Sequence, residues 1–225
     1  MNYSAPYQPP TVTVDAVIFQ LSNDILEVLL VQRSTSPFKG AWALPGGYSA
    51  QGETTTDALR TKVSAKAGVD VTHDLQYIEQ LYTFDTVARD PRGHAVSVAY
   101  MGCGLAIMPE KASEKSAFFG LDALPKLAYD HKDIITYAHE RLRAKLTYTN
   151  AVYGLLPEKF TLTHLQNAYE AVLGETLDKR NFRKKFLSLQ LIHETNETFR
   201  EGAHRPAKLY EFNKKTLESL TRSFD

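Results

Sequence analysis

A single cysteine, Cys103, stands among 225 residues, which excludes a disulfide framework within the chain. It lies in the apolar run from Val96 to Ile107 and reads as a small buried hydrophobe in a reducing cytosol. An excess of charge is missing too. Lys and Arg number 26 and so do Asp and Glu, so a nucleic-acid or membrane partner must be met by a local patch. No apolar run reaches the length of a membrane span, and the start of the chain lacks a secretory signal pattern, so a cytoplasmic protein with no membrane partner is expected. The seven histidines show no ligand spacing with the cysteine or with one another, so no metal site is expected among them. Residues 1–10, with Pro6, Pro9 and Pro10, read as an extended or mobile arm.

What the chain does carry is the stretch Gly46-Gly47-Tyr48-Ser49-Ala50-Gln51-Gly52-Glu53, continued through Thr54 to Ala67-Gly68-Val69. It reads as a tight glycine turn, a short loop and one helix that Gly68 stops, since Thr54 to Lys66 holds neither Pro nor Gly. The layout resembles the Nudix box, G-x5-E-x7-R-E-U-x-E-E-x-G-U with U aliphatic, with Gly47, Glu53, Val63, Gly68 and Val69 on their places. The chemistry departs from that box. Thr61-Lys62 stands where the family has Arg-Glu, and Ala65-Lys66 where it has Glu-Glu. Positions 62, 65 and 66 share one helix face. In an active Nudix hydrolase that face carries carboxylates, the oxygen ligands a hard cation requires. Lys62 and Lys66 put ammonium groups there instead, so a scaffold with no catalytic residues and no metal is expected.

Around the box, Thr11 to Phe19 alternates as a strand, and Ile25 to Val31 is a second, more continuous one. Strands at about Leu75 to Thr83 and Ala95 to Leu105 flank the charged turn Arg89-Asp90-Pro91-Arg92-Gly93. A helix from about His131 to Leu146 has Ile134, Ile135, Ala138 and Leu142 as its apolar stripe. Mixed strands around a box helix give an α/β Nudix-type sandwich, assigned to residues 11–148. Leu146 to Asn150 reads as a junction, and residues 149–225 as a winged helix-turn-helix. In it, Thr163 and Gln166 form a capping box, Gly174 stops the first helix and Asp178 caps a second. Leu189 to His193 and Ala207 to Phe212 form a hairpin. Phe182 and Phe186 face inward, while Lys179, Arg180, Arg183 and Lys184 face out, the order expected of a helix offered to a DNA major groove. Asn181 and Thr163 join that DNA-facing set, with Arg205 and Lys208 as wing contacts. A solvated charged face is the plainer alternative.

Three stretches together resemble one family. They are Pro37-Phe38-Lys39-Gly40-Ala41-Trp42-Ala43-Leu44-Pro45-Gly46-Gly47, then Arg89 to Gly93 with Val96 to Tyr100, and the basic module with Asn181-Phe182-Arg183 and Arg205 to Tyr210. The match is to the Nudix-related transcriptional regulators of NAD metabolism called NrtR. The resemblance implies a bacterial homodimeric repressor on a palindromic operator, released by ADP-ribose or a related NAD product, with no cofactor. It implies a ligand site in the cleft, for which the candidates are Arg33, Gly46, Gly47, Lys62, Lys66, Arg89 and Arg92. Guanidinium groups suit a diphosphate. Trp42 or Tyr48 would hold adenine, though Trp42 also reads as core. Two alternatives stay open: an ADP-ribose or sugar-nucleotide pyrophosphohydrolase with an appended nucleic-acid module, and a repressor that senses a sugar.

Overall fold

The computed structural model describes residues 9–110, 112–200 and 206–220, so most of the N-terminal arm, and Arg205, lie outside the described residues. The order of elements is β1 (Thr11–Ser22), β2 (Ile25–Gln32), β3 (Trp42–Ala43), β4 (Gly46–Tyr48), α1 (Thr55–Ala67), β5 (Leu75–Phe84), β6 (Ala95–Gly104), β7 (Lys115–Gly120) and α2 (His131–Tyr148). A second group follows: a 3-10 turn at Ala151–Leu155, α3 (Leu162–Leu173), α4 (Lys179–Ser188), β8 (Ile192–Phe199) and β9 (Ala207–Phe212). This is an α/β Nudix sandwich followed by a winged helix-turn-helix.

β1 is the spine of the mixed sheet. It runs parallel to β6 and antiparallel to β2 and β4, and β6 pairs in turn with β5. Asn23 and Asp24 close the β1–β2 hairpin with φ of 50° and 61°, the left-handed pair that matches strand twist in a two-residue loop. Because β1 is central, both of its faces are covered. Val14, Ala16 and Ile18 meet Ala58, Leu59, Val63 and Ala67 of α1, while Val17 and Phe19 join the layer of Ile134, Ile135, Ala138 and Leu142 of α2. A strand buried on both sides reads as a nearly continuous apolar run.

α1 follows its sequence signals. Thr54 accepts from the Asp57 N–H, and Gly68, at φ 67°, donates its own N–H to Ser64. A Cβ on Gly68 would come within 1.9 Å of the Glu110 carbonyl oxygen, so glycine is required there twice over. The glycine pair before the helix is a different matter. Gly46 and Gly47 form no tight turn; they are strand β4, paired with Asp15 and Val14 of β1. Gly46 is demanded by close approach, since a Cβ would lie 2.1 Å from the Val14 carbonyl oxygen. β7, which pairs with β2, falls in a stretch whose pattern offers no alternation.

In the C-terminal module the cap of α3 is Thr161 rather than Thr163. Thr161 Oγ1 accepts from the His164 N–H at 3.1 Å, and His164 Nδ1 reaches back to the Thr161 N–H. Starting there brings Leu162 into the helix and against the core. The hairpin is also shifted. Its first strand begins at Ile192, not Leu189, because Leu189 and Gln190 still close the end of α4 with bonds to Phe186 and Leu187. Phe160 exchanges both backbone bonds with Tyr210, adding one residue to the wing.

The two halves share a core. Val152, Tyr153 and Leu155 of the 3-10 turn pack with Tyr77 and Cys103 of the sheet, and a Cβ on Gly154 would meet the Cys103 Cβ at 2.9 Å. Further links cross the boundary. The Nε2–H of His139 on α2 donates to the Val172 carbonyl at the end of α3 (2.7 Å), and Asn167 of α3 donates to Asp24 of the first hairpin (2.7 Å). The junction is itself buried, with Asn150 bonded to Thr216 and Glu218.

Candidate functional site

A cavity of about 310 Å³ opens between β4, the Lys62–Lys66 flank of α1 and the loops around Arg33 and Tyr129. Its walls include Arg33, Gly46, Gly47, Tyr48, Lys62, Lys66, Arg89 and Arg92, so eight of the nine expected ligand residues come together. Lys62 and Lys66 reach it because they lie one turn apart on the half-buried flank of α1, bordering the face on which Leu59 and Val63 pack against the sheet. Their side chains close over β4: a Cβ on Gly47 would lie 3.4 Å from Lys62 Cγ and 3.5 Å from Lys66 Nζ. Burial pulls the Lys66 pKa below that of a free lysine, with Arg33 and Lys62 adding to the fall and Glu114 and Asp15 opposing it. Phosphate oxygens would relieve that crowding.

Trp42 is the exception. On β3 the alternation sends Ala43 to the cavity, while Trp42 packs edge-on against Phe119 with ring centroids 4.7 Å apart. It serves the core.

Beneath the cavity is a polar floor that the sequence pattern left unnoticed. Arg89 grips both oxygens of Asp130, at 2.9 and 2.7 Å, and lies 3.5 Å from Asp15. Its burial opposes its charge, but those two carboxylates outweigh that and raise its pKa. Asp15 also accepts from Ser97 at 2.5 Å, and His131 Nε2 stands 3.5 Å from it. His131 Nδ1 accepts the Leu44 N–H at 2.8 Å, so that nitrogen is unprotonated, and burial holds the ring's pKa below its usual value. Arg89 thus builds the floor instead of offering a free guanidinium. Asp15 was the visible signal, a lone carboxylate in an apolar strand; its partners come from the β5–β6 turn, β6 and α2, far away in sequence.

Glu53, the surviving box carboxylate, accepts from the Ala50 N–H at 2.8 Å, and Asp57, one turn along, is bonded to Thr54 and lies 3.6 Å from Arg60. Neither is in the cavity wall.

The second candidate surface is α4. Asp178 caps it by accepting from Asn181 at 2.7 Å, and Phe182 and Phe186 pack on Tyr169 at 5.1 and 5.7 Å. That docking turns Lys179, Arg180, Asn181 and Lys184 to solvent. Arg183 is half-buried and donates to Thr163 Oγ1 at 3.0 Å, which ties α4 to the exposed start of α3. Lys208 of β9 is exposed and paired with Glu194 at 2.7 Å.

Comparison with known proteins agrees with both halves. The NUDIX domain family matches residues 9–138, and the NrtR DNA-binding winged helix domain matches residues 152–212. The chain is 38% identical over 217 residues to the ADPR responsive transcriptional repressor NtrR of Acinetobacter baylyi, covering 92% of this chain and 83% of that protein. It is similar to Shewanella oneidensis NrtR complexed with a 27mer DNA, with a TM-score of 0.76 and 34% identity over 90% of this chain and 93% of that one. The NUDIX domain of the same protein, complexed with ADP ribose, matches at a TM-score of 0.50 and 35% identity, over 62% of this chain and 94% of that one.

Proposed function

This chain belongs to the NrtR family of Nudix-related transcriptional regulators, and from that premise we propose that it represses genes of NAD metabolism and leaves its operator when ADP-ribose, or a close NAD-derived relative, fills the Nudix cavity. The observation that carries this reading is the pair Lys62 and Lys66 in the cavity wall, on a scaffold whose core continues into an exposed basic helix. Residues 11–148 act as the effector-binding unit and 149–225 as the DNA-binding unit.

A Nudix fold implies a divalent cation, and the residues present do not suit one. Such a cation needs several oxygen ligands. The cavity face of α1 offers ammonium groups, while Glu53 and Asp57 are engaged elsewhere. The pyrophosphate is therefore met directly by Lys62, Lys66 and Arg33, without metal, and the chain does not hydrolyse it. Pure protein given ADP-ribose with magnesium or manganese is expected to release no AMP. Turnover at an ordinary Nudix rate that disappears in Glu53→Gln would contradict this.

The operator is read from α4, with Arg180 and Arg183 on base edges or adjacent phosphates and Lys179, Asn181 and Lys184 beside them. In a homodimer the two recognition helices must stand about 34–36 Å apart, or a multiple of that. Within one protomer, α2 joins the sites: Asp130 and His131 lie in the cavity floor at its start, and His139 holds the end of α3. A shift of α2 on ligand binding would move α3 and α4 and spoil the spacing with no change in base contacts. A gel-shift titration on the DNA upstream of the chain's own gene, with ADP-ribose, NAD and free sugars, tests the reading. Release by ADP-ribose alone supports it. Release by a sugar alone replaces the effector.

A further inference from the structure

Beside the cationic cavity lies a second, of about 340 Å³, and the two share Tyr48, Asp90 and Arg92 as a common wall. The Arg92 guanidinium sits 5.0 Å from the centre of the Tyr48 ring and 5.8 Å from that of Tyr129. It donates to both oxygens of Asp90, at 2.9 and 2.6 Å, and to the Tyr129 hydroxyl at 3.1 Å. Tyr129 is held in an unusual state. Its φ is 54°, a left-handed conformation that a bulky side chain adopts only when its surroundings fix it. Phe38 packs edge-on against its ring at 4.9 Å, His131 lies 5.2 Å away and Arg33 stacks over it at 4.9 Å. Strained residues of this kind cluster at ligand clamps.

We propose that Tyr48 and Tyr129 are the aromatic walls for the planar base of a nucleotide effector, and that Arg92 is a latch occupying its place in the free protein. A guanidinium is flat and stacks on aromatic faces, so it fills the same kind of space as a heterocyclic base. The latch is built to leave. Its side chain is 41% exposed while that of Asp90 is 5% exposed, so the arm opens onto water and can be rehydrated when displaced, while its anchor stays buried. When the arm swings out, Asp90 Oδ1 keeps the bond from the Arg92 backbone N–H at 2.9 Å, while Oδ2 gives up the guanidinium and takes water or a donor edge of the incoming base in its place. Removing the arm from the shared wall also joins the two cavities. The joined groove has cations at one end for phosphates and tyrosines for the base, which suits a nucleotide better than a free sugar.

The inference rests on the effector reading above, and two probes separate their failures. Calorimetry on the full chain would use ADP-ribose and ribose 5-phosphate, which has the sugar phosphate and no base. Tyr48→Leu and Tyr129→Leu are expected to weaken ADP-ribose at least fivefold and to change ribose 5-phosphate less than twofold. Tyr48 is exposed, so its variant carries the test should Tyr129→Leu fail to fold. Arg92→Ala is expected to tighten ADP-ribose twofold or more. Unchanged ADP-ribose affinity in the tyrosine variants, or unchanged or weaker binding in Arg92→Ala, would overturn the inference alone. Failure of both probes to bind the unaltered chain would overturn the effector reading and this inference with it.

Discussion

Alanine at Arg180 is expected to weaken operator binding tenfold or more. Arg180 is exposed on the first turn of α4, on the side opposite the Phe182–Phe186 contact with Tyr169. An arginine paired bidentately with guanine contributes about 1–3 kcal/mol of discrimination, and about 1.4 kcal/mol is a factor of ten. Arg183→Ala should lose as much for two reasons at once. It removes a guanidinium from the DNA face and breaks the tie to Thr163 that holds α4 on α3. Lys184→Ala serves as the contrast: a phosphate contact mainly lowers the salt slope, by about one unit, and weakens all sequences alike. Gel shifts at several salt concentrations separate these outcomes. Unchanged affinity in both arginine variants would place the DNA surface elsewhere.

Glutamate at Lys66 is expected to abolish the response to ADP-ribose while leaving DNA binding intact. The substitution exchanges a cation for an anion in a half-buried site that already faces Glu114 and Asp15. Away from bulk water, a unit charge a few ångströms from a phosphate is worth several kcal/mol, so affinity should fall well over tenfold. Lys66→Ala should fall less, because it removes the attraction without adding repulsion. Calorimetry with ADP-ribose and a gel shift on the same preparation check both parts, and a thermal melt confirms folding. Retained affinity in Lys66→Glu would move the pyrophosphate out of this cavity.

Much of this architecture could be read from local signals. α1 lies between Thr54 and Gly68 as the cap residues require, and Asp178 starts α4 with its phenylalanines inward. Lys62 and Lys66 were found by counting one helical turn from the box spacing. The features missed are those made by distant contacts. Gly46 is a glycine because Val14 approaches it across the sheet, and no local rule sees that. Thr161 and Thr163 are chemically equal caps, and the packing of Leu162 favours the first. Trp42 and Ala43 differ in direction by one step of strand register, which only the pairing with β2 sets. The floor joins Asp15 to Arg89 and His131, and Arg89 to Asp130 across 41 positions, through the parallel pairing of β1 with β6 and the docking of α2.

Effector and operator are linked through one protein, so whatever factor ADP-ribose takes from operator affinity, operator must take from ADP-ribose affinity. Calorimetry of ADP-ribose into the free protein and into the protein–operator complex, each repeated with a chelator, measures that factor directly. Weaker binding to the complex, by the same ratio as the loss of DNA affinity and unaltered by the chelator, is the expected result. Equal affinities in the two titrations, or binding that vanishes with the chelator, would contradict a metal-independent effector site coupled to DNA.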